Sequence, residues 1–249
     1  MTFNNKTIWI IGASSGIGRA LAVALAGLGA QLILSARREE ALQTLQQELG
    51  DGHLVYPLDV AKSNDVKEVC EKIAQQTGHL DCVLYLPALY QPASIANMEL
   101  AFASKMVDVN IKGAFYVTHG ILPIFEKQQA GQIVLCGSVA GYTGLPNGQP
   151  YSATKAALAN FAESLYAETP DYIDVKLISP GFVHTPLTEK NTFEMPLITT
   201  PQQAARTIIE GLGKEAYEIH FPKKLTFILK LLSLLPYRLK FFLTKKMKK

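Results

Sequence analysis

Cysteine is scarce here and poorly placed for either of its structural uses. Cys70, Cys82 and Cys136 are odd in number, scattered, and form no Cys-x-x-Cys or Cys/His spacing. That argues against a disulfide framework and against any metal site, and it suits a reducing compartment such as the cytoplasm. A secretory leader is missing too, because Ile8-Trp9-Ile10-Ile11 is too short for its apolar core and runs straight into glycines. No uncharged run is long enough to span a bilayer. Lys230, Arg238 and Lys240 interrupt residues 225–243, whereas a spanning helix needs about 20 mostly apolar residues. Low-complexity tracts, internal repeats and Pro/Gly/Ser-rich linkers are absent as well, which excludes a repeat array and a string of small domains. With 48% hydrophobic residues, a mainly disordered chain is excluded.

The remaining absence is of one sign of charge. Residues 222–249 carry nine basic residues and no acid, which leaves 15 basic against 21 acidic residues in 1–221. The overall +3 is therefore an average of a −6 body and a +9 tail. A nucleic-acid reading based on the whole-chain balance fails at that point.

Within the body, apolar runs at 7–12, 31–35, 53–57, 82–86, 132–136, 175–178 and 217–221 read as strands. Most are nearly continuous rather than alternating, as expected of strands covered on both faces. Helical periodicity fills the intervals at 16–28, 39–49, 65–77, 104–125 and 152–168. Alternating strands and helices with right-handed crossovers give an α/β fold, a doubly wound parallel sheet with helices on both faces. Residues 1–221 form one such domain and 222–249 a separate tail.

The first strand ends in Gly12-Ala13-Ser14-Ser15-Gly16-Ile17-Gly18-Arg19, and a helix follows. Glycines there allow a tight turn and close approach to a pyrophosphate, with helical N–H groups aimed at it. The Gly-x-x-x-Gly-x-Gly spacing alone also suits an ordinary tight turn; its place between strand and helix favours a dinucleotide. The second strand ends in Ser35-Ala36-Arg37-Arg38, with no acid to hold a ribose 2′-hydroxyl. Arg37, helped by Arg19, suits a 2′-phosphate instead, which points to NADP(H). The other reading makes Arg37 and Arg38 solvated residues opening a helix.

Tyr151 and Lys155 stand four residues apart, on one helical face. A phenol ordinarily titrates near pH 10, so roughly 4 kcal/mol of differential stabilisation is needed to bring it to neutrality, and a lysine cation favours that direction. Ser138 ends the strand at 132–136, at the edge of a parallel sheet where ligands bind. It is placed to hydrogen-bond a substrate oxygen that Tyr151 protonates.

With these residues in order, the chain resembles the short-chain dehydrogenase/reductase family over residues 6–221. Gly12, Gly16 and Gly18 match its cofactor loop, in which Ser14, Ser15, Ile17 and Arg19 also lie. The resemblance implies that Asp59 and Val60 contact the adenine ring. It implies that Asn110, Ser138, Tyr151 and Lys155 form a catalytic tetrad, with Asn110 supporting a proton relay and Lys155 also holding a ribose. It implies further that the Val183 backbone and the Thr185 side chain hold the nicotinamide carboxamide, and that the protein is a homodimer or homotetramer. Where the family has Asn-Asn-Ala-Gly, this chain has Tyr85-Leu86-Pro87-Ala88. Tyr85 can fill the lost asparagine's place by packing. Pro87 removes a backbone donor and Ala88 narrows the approach to the cofactor, so a rearranged wall is expected.

The implied function is an oxidoreductase acting between NADP(H) and a carbonyl or secondary alcohol. Residues 185–200 suit a substrate lid, with His184 at the entrance, and Leu187, Phe193, Met195, Leu197 and Ile198 suit an apolar substrate pocket, although core packing explains the same residues. A rival function, motivated by residues 85–88 and the tail, is an NADP(H)-binding sensor or membrane scaffold with little turnover. In the tail, Thr226, Lys230, Ser233 and Tyr237 form a narrow polar stripe on an otherwise apolar helix that Pro236 interrupts. Such a helix needs to be buried. It packs on the body or a second copy, or it lies in the plane of an anionic membrane at the inner face; nine cations without an acid favour the membrane.

Overall fold

The computed structural model describes residues 2–191 and 193–247; Lys248 and Lys249 of the basic tail lie outside them. The apolar runs form seven strands: β1 (Thr7–Ile11), β2 (Gln31–Ser35), β3 (Leu54–Val55), β4 (Cys82–Tyr85), β5 (Gly131–Cys136), β6 (Ile173–Pro180) and β7 (Glu218–Phe221). They make one sheet in the order β3-β2-β1-β4-β5-β6-β7, and every neighbouring pair is parallel. The chain builds outward from β1 to one edge, then returns and builds from β4 to the other. The carboxyl ends of β1 and β4 therefore border the crevice where the winding reverses, the place at which such sheets bind ligands.

Side chains leave a strand alternately on its two sides. On β1, Ile8 and Ile10 enter one apolar layer while Trp9 and Ile11 enter the other. Both sides are buried, so the strand is apolar without interruption. The first layer is covered by α1 (Gly16–Ala26), α2 (Glu39–Leu49) and α7 (Pro201–Leu212); the second is covered by α3 (Ser63–Gln76), α5 (Gly113–Gln128) and α6 (Tyr151–Glu168). The buried indole of Trp9 donates to Ser35 Oγ at 2.9 Å, so its polar atom costs nothing.

The expected helix over 104–125 is instead α4 (Leu100–Val107), a π-helical turn (Asp108–Lys112) and α5. The cause is tertiary. The Tyr85 hydroxyl donates to the Val109 carbonyl inside that turn, and the fully buried Asn110 spends its side chain on neighbours outside it. Such contacts favour the wider turn over an uninterrupted helix. At the sheet edge β3 pairs over only two residues, whereas β6, flanked on both sides, runs beyond its expected 175–178.

The tail folds as α8 (Lys223–Leu234) and α9 (Tyr237–Lys246), separated at Pro236. The outer apolar face of α8 is turned away from the body. Thr226 is completely buried, and Lys230 and Ser233 are turned toward the body, while Phe227, Ile228, Leu231 and Leu234 are 61–82% exposed. The physical reason lies on β7: His220 Nδ1 meets the Thr226 hydroxyl at 2.7 Å, and Glu218 receives the Lys230 ammonium. No helix among the described residues is long and apolar enough to cross a membrane.

Candidate active site

The loop between β1 and α1 has the close turn its glycines suggest. Gly12 and Gly16 have φ of +90° and +55°, and a Cβ on Gly18 would stand 2.2 Å from the Gly12 carbonyl oxygen. Ser15 precedes α1 in extended backbone without a side-chain cap, which leaves first-turn N–H groups of α1 without a side-chain acceptor. Ser14 and Ile17 are half-buried in the same loop. Glycine-only closeness, uncapped donors and a place beside the sheet's reversal crevice together fit a dinucleotide pyrophosphate.

Across the crevice, Leu86 and Pro87 take the place of the family's wall residues. A Cβ on Gly12 would lie 3.2 Å from Pro87 N, so the two backbones pass close together. Tyr85 is buried beneath this wall and ties the end of β4 to the π-helical turn. Its ring leaves no room for a side chain on α5, because a Cβ on Gly113 would sit 2.3 Å from the phenolic oxygen. Burial raises its pKa, so it is a neutral strut. Ala88 is half-buried in the loop that follows β4.

Asn110 links three elements. Its Oδ1 accepts from Leu89 N at 2.7 Å, and its Nδ2 donates to Leu89 O at 3.1 Å and to Thr154 Oγ1 at 3.0 Å. The side chain is thereby used up in holding the loop after β4 against α6. It positions that loop and carries no proton itself.

Ser138, Tyr151 and Lys155 meet where β5 ends and α6 begins. Ser138 Oγ accepts from Ala140 N at 3.1 Å, which occupies a lone pair and leaves its O–H free to donate. Lys155 is 1% exposed and donates to the Cys136 carbonyl at 2.6 Å; burial lowers its pKa. The ammonium stands 5.6 Å from the centre of the Tyr151 ring. Tyr151 departs from the lowered phenol expected beside a lysine. Burial raises its pKa, the neighbouring Cys136 adds to the rise, and the Ser138 hydroxyl opposes it. With Lys155 turned to Cys136, desolvation wins and the phenol keeps its proton.

Residues 183–191 and 193–200 form a strap that contacts Tyr90 and the glycine loop. Val183 is buried and bridges to Thr199. Thr188 Oγ1 donates to the Val183 carbonyl at 2.6 Å and accepts from Thr185 N at 3.1 Å. A Cβ on Gly16 would meet Thr185 Cγ2 at 3.0 Å, so the strap and the glycine loop touch. Tyr90, which belongs to none of the motifs above, pins the strap from below. It donates to Asn191 Oδ1 at 2.5 Å, its carbonyl accepts from Lys190 at 3.0 Å, and its ring stands edge-on to Tyr151 at 4.9 Å. Only its place just after the altered wall marks it in the sequence. His184 is exposed, and of the strap's apolar residues Phe193 and Leu197 are about half exposed.

The remaining expected residues lie along the crevice rim. Asp59 is half-buried and caps its own turn by accepting from Ala61 N at 3.1 Å, and Val60 is buried beside it. Arg37 is exposed just past β2 and forms no ion pair among the described residues. Arg19 does not join it: its guanidinium pairs with Glu48 of α2.

Residues 6–195 match the family model described as short chain dehydrogenase. The chain belongs to the short-chain dehydrogenase family. It is an oxidoreductase of the NAD(P) type. An uncharacterised oxidoreductase of Staphylococcus epidermidis is 32% identical to this short-chain dehydrogenase over 213 residues, covering 85% of this chain and 93% of that one. A Burkholderia phymatum short-chain dehydrogenase/reductase solved with NAD has the same fold, with a TM-score of 0.85 at 22% identity, covering 93% of this chain and 94% of that one. A serine dehydrogenase solved with NADP+ does too, with a TM-score of 0.81 at 24% identity over 88% of this chain and 95% of that one. None of these supports the reading as a sensor or scaffold with little turnover.

Proposed function

We propose that this short-chain dehydrogenase interconverts a carbonyl and a secondary alcohol on an apolar substrate, using NADP(H). The observation that carries the reading is the meeting of Ser138, half-buried Tyr151 and buried Lys155 where β5 ends and α6 begins, with the Lys155 ammonium 5.6 Å from the centre of the Tyr151 ring. In reduction, Tyr151 gives its proton to the substrate oxygen while Ser138 donates a hydrogen bond to it. In the reverse direction the phenolate takes the alcohol proton. Lys155 uses one of its three donors on Cys136, which leaves two for a ribose hydroxyl and for the charge that develops on Tyr151. Asn110 holds Leu89 and Thr154 in place around them. The loop from Gly12 to Gly18 and the carboxyl ends of β1 and β4 would hold a nicotinamide cofactor, which would supply hydride chemistry when bound. The strap, pinned by Tyr90 and seated on Gly16, excludes water from the reacting atoms.

Arg37 supports the choice of NADP(H), alone now that Arg19 is held by Glu48. Phe193 and Leu197 of the strap support an apolar substrate. The reading takes the enzyme as a cytoplasmic homo-oligomer. Three buried, unpaired cysteines support the compartment, and the exposed Phe115 of α5, edge-on to Phe161 of α6 at 4.6 Å, supports a contact between copies.

The test is NADPH oxidation against a panel of aldehydes and ketones. Tyr151→Phe should lower turnover by roughly 10²–10⁴-fold with cofactor affinity retained; equal turnover on a confirmed substrate rejects the assignment. Arg37→Ala should weaken NADPH about tenfold or more, by the loss of a charge-assisted contact, and leave NADH nearly unchanged. Equal losses for both cofactors reject the 2′-phosphate reading.

A further inference from the structure

The outward face of the tail is an apolar surface framed by cations. Phe227, Ile228, Leu231 and Leu234 on α8, with Phe241 and Phe242 on α9, are 52–82% exposed. Around them, Lys224, Arg238, Lys245 and Lys246 are exposed and make no ion pair among the described residues. Soluble proteins rarely leave this many large apolar side chains uncovered on one helix face, as at Phe227, Ile228, Leu231 and Leu234 of α8. It is not a poorly docked helix, because the inner face is fixed at several points. Leu229 and Leu232 pack on Val139, Tyr142 and Leu145. Glu218 holds both Lys230 and, at 2.5 Å, the Tyr142 hydroxyl. Rotating α8 to bury its apolar side would break these bonds and bury unpaired polar groups.

We infer that α8 and α9 form an in-plane docking surface for an anionic lipid bilayer. Charge decides the occupant. A second copy meeting this face across a two-fold axis would bring the same cations, and residues 222–249 contain no acid to receive them. A bilayer with anionic headgroups supplies both halves of the complement, an acyl boundary for the phenylalanines and leucines and phosphates for the lysines and arginine. At 12 and 10 residues, with no spanning helix among those described, α8 and α9 suit the interface and not the interior of a membrane. The opposite, inner face of α8 lies near the catalytic residues. Val139 follows Ser138 directly and packs on α8, and Leu225 lies against Gly181, just ahead of the strap. The docking surface itself is independent of the reaction proposed above.

The full-length protein should co-sediment at low salt with vesicles of phosphatidylglycerol and phosphatidylcholine, and at least tenfold more weakly with phosphatidylcholine alone. The double variant Lys245→Gln/Lys246→Gln should lower the partition coefficient about fivefold per cation removed. The variant Leu231→Ser/Leu234→Ser, whose positions are exposed, should abolish binding while leaving the circular dichroism spectrum and Tm unchanged. Failure of the native chain to bind anionic vesicles overturns the inference, as does binding that survives the serine variant. Equally decisive against it is a dimer in sedimentation velocity that the serine variant dissociates, with no vesicle binding, for then a second copy covers the face.

Discussion

Helices α7 and α8 are each twelve residues long and both pack beside β7, yet they follow opposite rules. α7 buries Ala204, Ala205, Ile208 and Leu212 and begins with a reciprocal capping box between Thr200 and Gln203. Its Gly211 lies so close to β7 that a Cβ would meet Ile219 at 2.6 Å. Hydropathy alone sets its orientation. α8 turns Thr226, Lys230 and Ser233 toward the body and leaves four large apolar residues outside. Two polar side chains on β7, Glu218 and His220, determine this. A polar group that finds its partner can outrank a larger apolar surface when the alternative is to bury that group unpaired. The apolar surplus is then left for something outside the chain.

The contrast can be broken at its strongest point by truncating the inner side of each helix and the outer side of α8. Ile208→Ala, inside α7, should cost about 2–4 kcal/mol, and Leu229→Ala, inside α8, about 2 kcal/mol. Leu234→Ala on the outer face should stay within about 0.5 kcal/mol of the parent. Urea denaturation measures all three, and a loss at Leu234 equal to that at Leu229 would show that the outer face is covered within the monomer. A subtler change is Thr226→Val, which makes α8 more apolar and of similar shape. If polar bonds orient the helix, stability falls by about 1–2 kcal/mol, because the His220 ring and the Lys223 carbonyl lose their partner. A gain in stability would mean hydropathy governs after all.

The smallest effect is with pH. Burial acts to raise the Glu218 carboxyl, but the Lys230 ammonium and the Tyr142 hydroxyl overcome it and hold its pKa below the ordinary value. A carboxyl depressed in the folded state stabilises above its unfolded pKa and loses that contribution as pH falls through the folded value. Hydrogen-exchange protection of α8 should therefore hold from neutrality down to the ordinary carboxylate range and decline below it, while α7 keeps its protection. A parallel decline in both helices would reject a local cause.

The same distinction explains how much of the molecule is legible in its amino-acid sequence. Strands covered on both faces must be apolar throughout, so β1, β2, β4 and β5 announce themselves, and the winding follows from their alternation with helices. Ser138, Tyr151 and Lys155 are legible because their chemistry resides in side chains at set spacings. Backbone groups have no such identity. The Cys136 carbonyl that binds Lys155 and the Val109 carbonyl that binds Tyr85 are invisible in a string of letters. Tyr90 acts through Asn191, 101 residues away, and nothing local predicts the pairing. The tail is legible only in part. Its hydropathy is plain in the sequence, but its orientation is decided by a carboxylate on another element.

The π-helical turn has a consequence for how this enzyme can change. It behaves as a single-residue insertion between α4 and α5, with Asn110 at its middle. Deleting one residue from it would restore a regular helix and remove the wide turn that carries Asn110. Asn110 would turn away from Thr154, and the Leu89 backbone would lose both its bonds. Smoothing the local geometry, whether by genetic deletion or by an engineer raising helix propensity, therefore disassembles the site; the irregularity acts as a ratchet against its own repair.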